Sequence, residues 1–193
     1  MKKILFFSNN LNKVKEVKKN LEKFDILVLS PKDFNIKEEP EEKGSSFADN
    51  AKIKSKYGFN EIRLPCIADD SGICIDALKG APNINSKRFI DSFKSKNECF
   101  NYIIKKVRET KLDKAYFQTT ICYTIKKNYH IVFEGKVRGR VSTKILGTRG
   151  FGYDPIFIPN GNSKTFGEMK IEEKNLFSHR SIAINKFINF LFN

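Results

Sequence analysis

Apolar side chains arrive in short bursts along this chain, and their spacing changes from one burst to the next. Ile4-Leu5-Phe6-Phe7 is unbroken, the pattern of a short strand buried on both faces. Leu11, Val14, Val17, Leu21 and Phe24 then recur at three- and four-residue steps, which predicts a helix of about 12 residues with its lysines outward. Ser8-Asn9-Asn10 between them is a polar turn able to cap that helix. Ile26 to Leu29 repeats the strand pattern and stops at Pro31. Ser45-Ser46 offers capping chemistry for a second helix, expected from Phe47 to Tyr57 with Gly58 as its stop.

Farther on, Cys66 to Ala68 and Ile73 to Ile75 read as apolar segments flanking a polar turn, Asp69-Asp70-Ser71-Gly72. Ala81-Pro82-Asn83 is another turn, and Cys99 to Val107 reads as a helix with Phe100, Ile103, Ile104 and Val107 on one side. Tyr116 to Ile125 and Tyr129 to Val141 are rich in Thr, Tyr, Val and Ile, as long strands paired through Lys126-Lys127-Asn128 would be. A glycine-rich loop, Gly147 to Gly152, precedes Pro155-Ile156-Phe157-Ile158-Pro159. Ser178 is placed to cap a last helix with Ile182, Phe187, Phe190 and Leu191 inward. Helices and strands mix throughout, so the class is α/β or α+β with an antiparallel part in the second half.

Composition narrows this picture. At 193 residues, 40% hydrophobic and 30% charged, the chain suits one globular domain and excludes collagen-like, mucin-like or largely disordered classes. No apolar run approaches the roughly 20 residues of a membrane helix, and Met1-Lys2-Lys3 with so short an apolar stretch does not match a secretory signal. The expectation is a cytoplasmic protein. Cys66, Cys74, Cys99 and Cys122 form no C-x-x-C pair and sit among apolar neighbours, as reduced packing cysteines do. The formal charge of +14 invites a polyanionic partner. The cations, however, are 29 Lys to 7 Arg and are scattered, so solvated surface with a general attraction for an anionic ligand is favoured. Nucleic-acid binding stays open as the second class.

Five stretches carry candidate chemistry. Asp69-Asp70, at the end of an apolar segment, suits magnesium, which takes one or two carboxylates plus phosphate oxygens; strand alternation would aim the two side chains apart, one toward a cleft and one toward backbone. Asp-Asp-Ser-Gly is equally good turn chemistry. Ser8-Asn9-Asn10-Leu11-Asn12-Lys13 offers helix-start amides and a lysine to a phosphate chain, or is an ordinary N-cap. Gly147-Thr148-Arg149-Gly150-Phe151-Gly152-Tyr153-Asp154 brings two rings and a carboxylate that could stack on and read a planar base, or is a packed tight loop. Lys174, His179 and Arg180 stand at or before a helix start, where a neutral imidazole can donate to a carbonyl, with a surface His-Arg pair as the alternative. The acidic run around Glu41-Glu42 could lend a further carboxylate to a metal, or be a solvated loop.

In their order along one chain these stretches resemble the inosine triphosphate pyrophosphatase family. The matching segments are Ser8 to Glu16, Gly44 to Ala51, Ala68 to Leu78 with Gly80-Ala81-Pro82, Ser86 to Phe89, Gly150 to Phe157 and Glu173 to Arg180. The resemblance implies an α/β fold with two lobes around a long mixed β-sheet and a central substrate cleft, in one domain over residues 1–193 without a separate linker, usually a homodimer. It also implies magnesium-dependent hydrolysis of non-standard purine nucleoside triphosphates (ITP, dITP, XTP) to the monophosphate and pyrophosphate. Carried over by position, Asp70 is the catalytic and metal-binding carboxylate and Ser71 lies beside the substrate. Ser8, Asn9, Asn10, Leu11, Asn12 and Lys13 take the phosphates. Phe151, Gly152, Tyr153, Asp154, Lys174, His179 and Arg180 hold the base and nucleotide, and Glu41 is the second metal carboxylate, with Glu38 as rival. Asn9 and Asn83 replace glycines, and Asn85 stands where a tyrosine is common. A pyrophosphatase for damaged pyrimidine or methylated nucleotides is the rival within enzymes.

Overall fold

The computed structural model describes residues 2–193. In chain order the elements are β1 (Lys2–Phe6), α1 (Leu11–Leu21), β2 (Ile26–Leu29), α2 (Phe47–Ile62), β3 (Cys66–Ile75), α3 (Ser86–Asp91), α4 (Lys96–Thr110), β4 (Lys114–Lys126), β5 (Tyr129–Val141), β6 (Phe157–Pro159), α5 (Ile171–Asn175) and α6 (His179–Phe192). The strands form a mixed sheet in the order β2-β1-β3-β4-β5-β6. β1 runs parallel to β2 and β3, whereas β5 and β6 are antiparallel, with Arg140 opposite Ile158. The α/β expectation holds, including the antiparallel part in the second half.

Two compact units share this chain. One comprises the chain up to Asp70 with Thr119–Gly135 and Arg180–Asn193; the other comprises Ser71–Gln118 and Lys136–His179.

In the first unit, the run from Ile4 in β1 to Phe7 is apolar without interruption because both of its faces are covered. Ile4 and Phe6 join Val14, Val17 and Leu21 of α1, Ile67 of β3, and Ala183, Ile184, Phe187 and Ile188 of α6. Leu5 and Phe7 point the other way, to Cys66 and Ala68 of β3 and to Tyr57, Phe59 and Ile62 of α2. Asn10 caps α1 by accepting from the amides of Asn12 and Lys13, and Ser46 caps α2 by accepting from Asp49 at 3.1 Å. In the second unit, α4 presents Cys99, Phe100, Ile103 and Ile104 to Ile73, Ile75, Phe117, Tyr153, Phe157 and Phe166. Ser95 caps that helix.

The structure departs from the sequence expectations in places that have physical causes. Asp69 to Gly72 is not a turn: β3 runs unbroken from Cys66 to Ile75 through both aspartates. Phe24 leaves the first helix for a 3-10 turn, and Leu11, Phe24 and Phe190, expected inward, are exposed. α2 continues past Gly58 to Ile62 and closes on Arg63 at φ +60°, whose amide donates to the Phe59 carbonyl at 2.8 Å. Gly58 is there for close approach, since a Cβ would lie 2.6 Å from the Phe7 ring and 2.8 Å from the Cys66 sulfur. Gly58→Ala therefore sets a helix-propensity gain of about 1 kcal/mol against an overpacking cost of about 1–3 kcal/mol. The expected outcome is a net loss of stability and a lower melting temperature in thermal denaturation.

Candidate active site

The two aspartates of β3 point to opposite faces of the strand, and each meets a different layer of helices. Asp69 shares the face of Ile67, toward α1 and α6. Its Oδ1 accepts from Lys13 Nζ at 3.1 Å, and its Oδ2 accepts from Arg180 Nε at 3.2 Å and Nη2 at 2.9 Å. The Thr119 hydroxyl adds a contact at 3.3 Å. Arg180 also donates through Nη1 to Glu16, a carboxylate buried on the inner face of α1. Burial alone would push Asp69 up, but the charges of Lys13, Arg180 and Lys54 overcome it and hold this carboxyl well below the usual range. Lys13 is itself pulled down by burial, with Asp69 only partly compensating.

Asp70 shares the face of Cys66 and Ala68, toward α2. Its Oδ2 accepts from Asn50 Nδ2 at 3.0 Å, and its Oδ1 lies 3.9 Å from Lys54 Nζ. The same ammonium is 2.5 Å from Glu42 Oε1. Burial raises Asp70 above the ordinary carboxylate value, although Lys54, Lys13 and Asn50 work against it. Lys54 moves up because Asp70, Asp69 and Glu42 together outweigh its own desolvation. In place of one aspartate turned to backbone, there are two charge-assisted sites, back to back on one strand.

Glu41 does not join this cluster: its side chain is 73% exposed and pairs with Lys43 at 2.9 Å. Glu42, the next residue, is the carboxylate that the loop turns to Lys54. Farther back, Glu39 Oε1 accepts from the Asn9 amide at 2.7 Å, and Asn9 Nδ2 donates to the Lys37 carbonyl at 3.0 Å. The first loop is otherwise held by its own side chains: Ser8 Oγ accepts from Asn10, and Asn10 Oδ1 from Asn12 and Lys13. Leu11 and Asn12 face solvent.

The second unit holds its own set of predicted residues. Asp154 is buried, and its Oδ2 accepts from Lys174 Nζ at 2.6 Å and from the Phe151 amide at 2.8 Å. Gly150, at φ +73°, is required here: a Cβ would fall 2.0 Å from that same oxygen. Lys174 also stands over the Phe151 ring, 4.9 Å from its centroid. Tyr153 is packed into the core, its hydroxyl donating to the Ser86 carbonyl at 2.7 Å, so of the two rings only Phe151 is partly exposed. Gly152 follows at φ +58° with open space where a side chain would be. His179 is buried and stacks on Phe117, the ring centroids 4.7 Å apart and the planes 9° from parallel. Ser71, half-buried, opens this unit directly after Asp70. Asn83 sits at φ +55°, where an asparagine takes a glycine's place at little cost.

These geometries can be set beside known proteins. The profile of the Ham1 family matches residues 4–190. The chain belongs to the Ham1 family. A dITP/XTP pyrophosphatase of Leptospira interrogans is 40% identical over 186 residues, covering 95% of this chain and 94% of that protein. Among solved structures, a HAM1 protein from Coxiella burnetii has a TM-score of 0.87 at 30% identity, covering 100% of this chain and 99% of its own. The Staphylococcus aureus Ham1 protein has a TM-score of 0.84 at 34% identity, with 98% of each chain covered.

Within this Ham1 chain, sequence reasoning missed Glu16, Asp69 as an ion-pair centre, Asn50 and Lys54. Periodicity held the signal for three of them. Glu16 lies between Val14 and Val17 on the apolar stripe of α1, and Asn50 and Lys54 flank Ala51 on the buried side of α2. A polar or charged residue on an apolar helical stripe calls for a buried partner.

The Asp69 cluster predicts an acid dependence of stability. Its folded pKa is depressed, so its contribution is fully present above the ordinary carboxylate value near ~4 and is lost as pH falls below it. Asp69→Asn leaves Lys13 buried without its carboxylate and Arg180 with Glu16 alone, and an expected loss of about 3–5 kcal/mol at neutral pH follows. Urea unfolding from pH 7 downward should also show a shallower acid limb for this variant than for the parent.

Proposed function

We propose that this Ham1 protein hydrolyses non-standard purine nucleoside triphosphates, dITP, XTP and ITP, to the monophosphate and pyrophosphate, clearing them from the nucleotide pool. The observation that carries the reading is Asp70: buried, oriented by Asn50, and facing a lysine shared with a second carboxylate, in a chain 40% identical over nearly its whole length to a dITP/XTP pyrophosphatase.

The donor set fits a magnesium ion. Asp70 and Glu42 are hard oxygen donors already collected around one cationic group, and in this cluster four carboxylates (Glu16, Glu42, Asp69, Asp70) face three cations (Lys13, Lys54, Arg180). We assign the metal to Asp70 and to Glu42, in place of Glu41, whose carboxylate stands in solvent on Lys43. When bound, the ion supplies Lewis acidity at the phosphoryl oxygens.

The chain's own residues do the rest. Lys13, whose ammonium burial disfavours, regains its charge stabilisation from an arriving polyphosphate, and the Ser8–Lys13 loop supplies amides and hydroxyls to the same chain of phosphates. Asp70, raised by burial, is matched to accept a proton from the water that attacks the α-phosphorus. Ser71 lies next to it along the strand. Arg180, itself fixed by Glu16, keeps Asp69 ionised and in place, so that Lys13 is held. In the second unit, Phe151 offers the ring for the base, with Gly152 open beside it, and Asp154 and Lys174 hold that loop. His179, stacked on Phe117, is assigned to the 6-oxo edge. A site built to pair with a 6-oxo group leaves donors unpaired against adenine's amino group, a mismatch able to discriminate by about 10⁴.

We read residues 1–193 as a single pyrophosphatase domain, acting in the cytoplasm as a homodimer. No helix among the described residues is long and apolar enough to cross a membrane.

Pyrophosphate release from dITP, XTP, ITP, ATP, GTP and modified pyrimidine triphosphates, each with and without magnesium, tests the reading. Turnover confined to the 6-oxo non-standard purines and dependent on the metal is expected. Asp70→Asn should abolish it while leaving the melting curve intact. Undiminished release by that variant removes Asp70 from the role.

A further inference from the structure

Asn50 is buried on α2 and uses both ends of its amide on different parts of the first unit. Nδ2 donates to Asp70 Oδ2 at 3.0 Å, and Oδ1 accepts from the Gly44 amide at 2.8 Å. Gly44 closes the acidic segment that carries Glu42, and Glu42 reaches Lys54, one helical turn beyond Asn50 on the same helix. A single side chain therefore ties the backbone of that segment to the carboxylate on β3. It also settles how Asp70 is presented: with Oδ2 held by Asn50, Oδ1 is the oxygen on the Lys54 side, 3.9 Å away.

We infer that Asn50 is a positioning residue for the reaction, orienting the Asp70 carboxylate and fixing the acidic segment beside it. The inference rests on the pyrophosphatase reading of Asp70. A primary amide suits this post because it can donate at one end and accept at the other. An aspartate there would keep the bond from Gly44 and turn an acceptor toward Asp70, so Asn50→Asp reverses one contact and spares the other. Alanine removes both.

Orienting partners of metal-binding carboxylates are typically worth roughly 10- to 100-fold in activity or metal affinity. Steady-state kinetics on dITP with magnesium, combined with thermal melting, should show Asn50→Asp melting below the parent but folded at the assay temperature, with kcat per folded molecule down by roughly 10- to 100-fold and KM within about 3-fold. Mn²⁺ binding without nucleotide, followed by electron paramagnetic resonance, should be roughly 10-fold weaker in Asn50→Ala. Parental kcat per folded molecule in Asn50→Asp, or parental Mn²⁺ affinity in Asn50→Ala, would overturn the inference. A parent protein that releases no pyrophosphate from dITP or XTP instead sinks the functional reading, and the Mn²⁺ comparison still decides the place of Asn50.

Discussion

A carboxylate in the middle of a buried sheet strand stays ionised only if the fold delivers cations to it, and β3 carries two such carboxylates in succession. Strand alternation sends Asp69 to one face and Asp70 to the other, so each takes its direct contacts from different side chains. The first unit answers with helices on both faces: α1 and α6 bring Lys13 and Arg180 to Asp69, and α2 brings Asn50 and Lys54 to Asp70. Removing water from an ion pair costs about as much as the attraction returns unless hydrogen bonds complete it. Asp69 meets that condition with four donor contacts from Lys13, Arg180 and Thr119 to Oδ1 and Oδ2.

The two aspartates consequently divide the work. Asp69 is saturated by fixed partners and acts as the anchor that brings α1 and α6 to the sheet. Asp70 is oriented by the Asn50 amide, its Oδ1 faces the Lys54 ammonium at 3.9 Å, and burial favours its protonated form. A group held in that way can exchange protons and ligands, whereas its neighbour cannot. The second unit repeats the anchoring half of this logic: Asp154, bonded by Lys174 and the Phe151 amide, fixes a loop whose Gly150 leaves no room for a side chain.

Much of this was legible in the amino-acid order. Continuous apolar runs marked β1, three- and four-residue steps marked α1 and α4, and richness in Thr, Tyr, Val and Ile marked β4 and β5. The motif residues were legible as well, because their types suit phosphate and metal. What escaped was set by tertiary pairing. Asp-Asp-Ser-Gly has the local preference of a turn, and only the cations on the flanking helices make it affordable as strand. Gly58 reads locally as a helix stop, yet Phe7 and Cys66 require a residue without a side chain inside the helix. Glu41 and Glu42 are indistinguishable in composition, and the path of the loop alone decides that Glu42 meets Lys54. Arg180 looked available for a base, but a guanidinium so placed in the core goes to Asp69 and Glu16.

The division between the neighbouring carboxylates is the claim most directly open to measurement. Site-resolved ¹³C NMR titration of the Asp69 and Asp70 carboxyls in the metal-free protein reads each ionisation separately. Asp70 should titrate above the ordinary aspartate value and Asp69 should remain ionised below it. Carboxyls that titrate together near the ordinary value, or in the opposite order, would contradict the account.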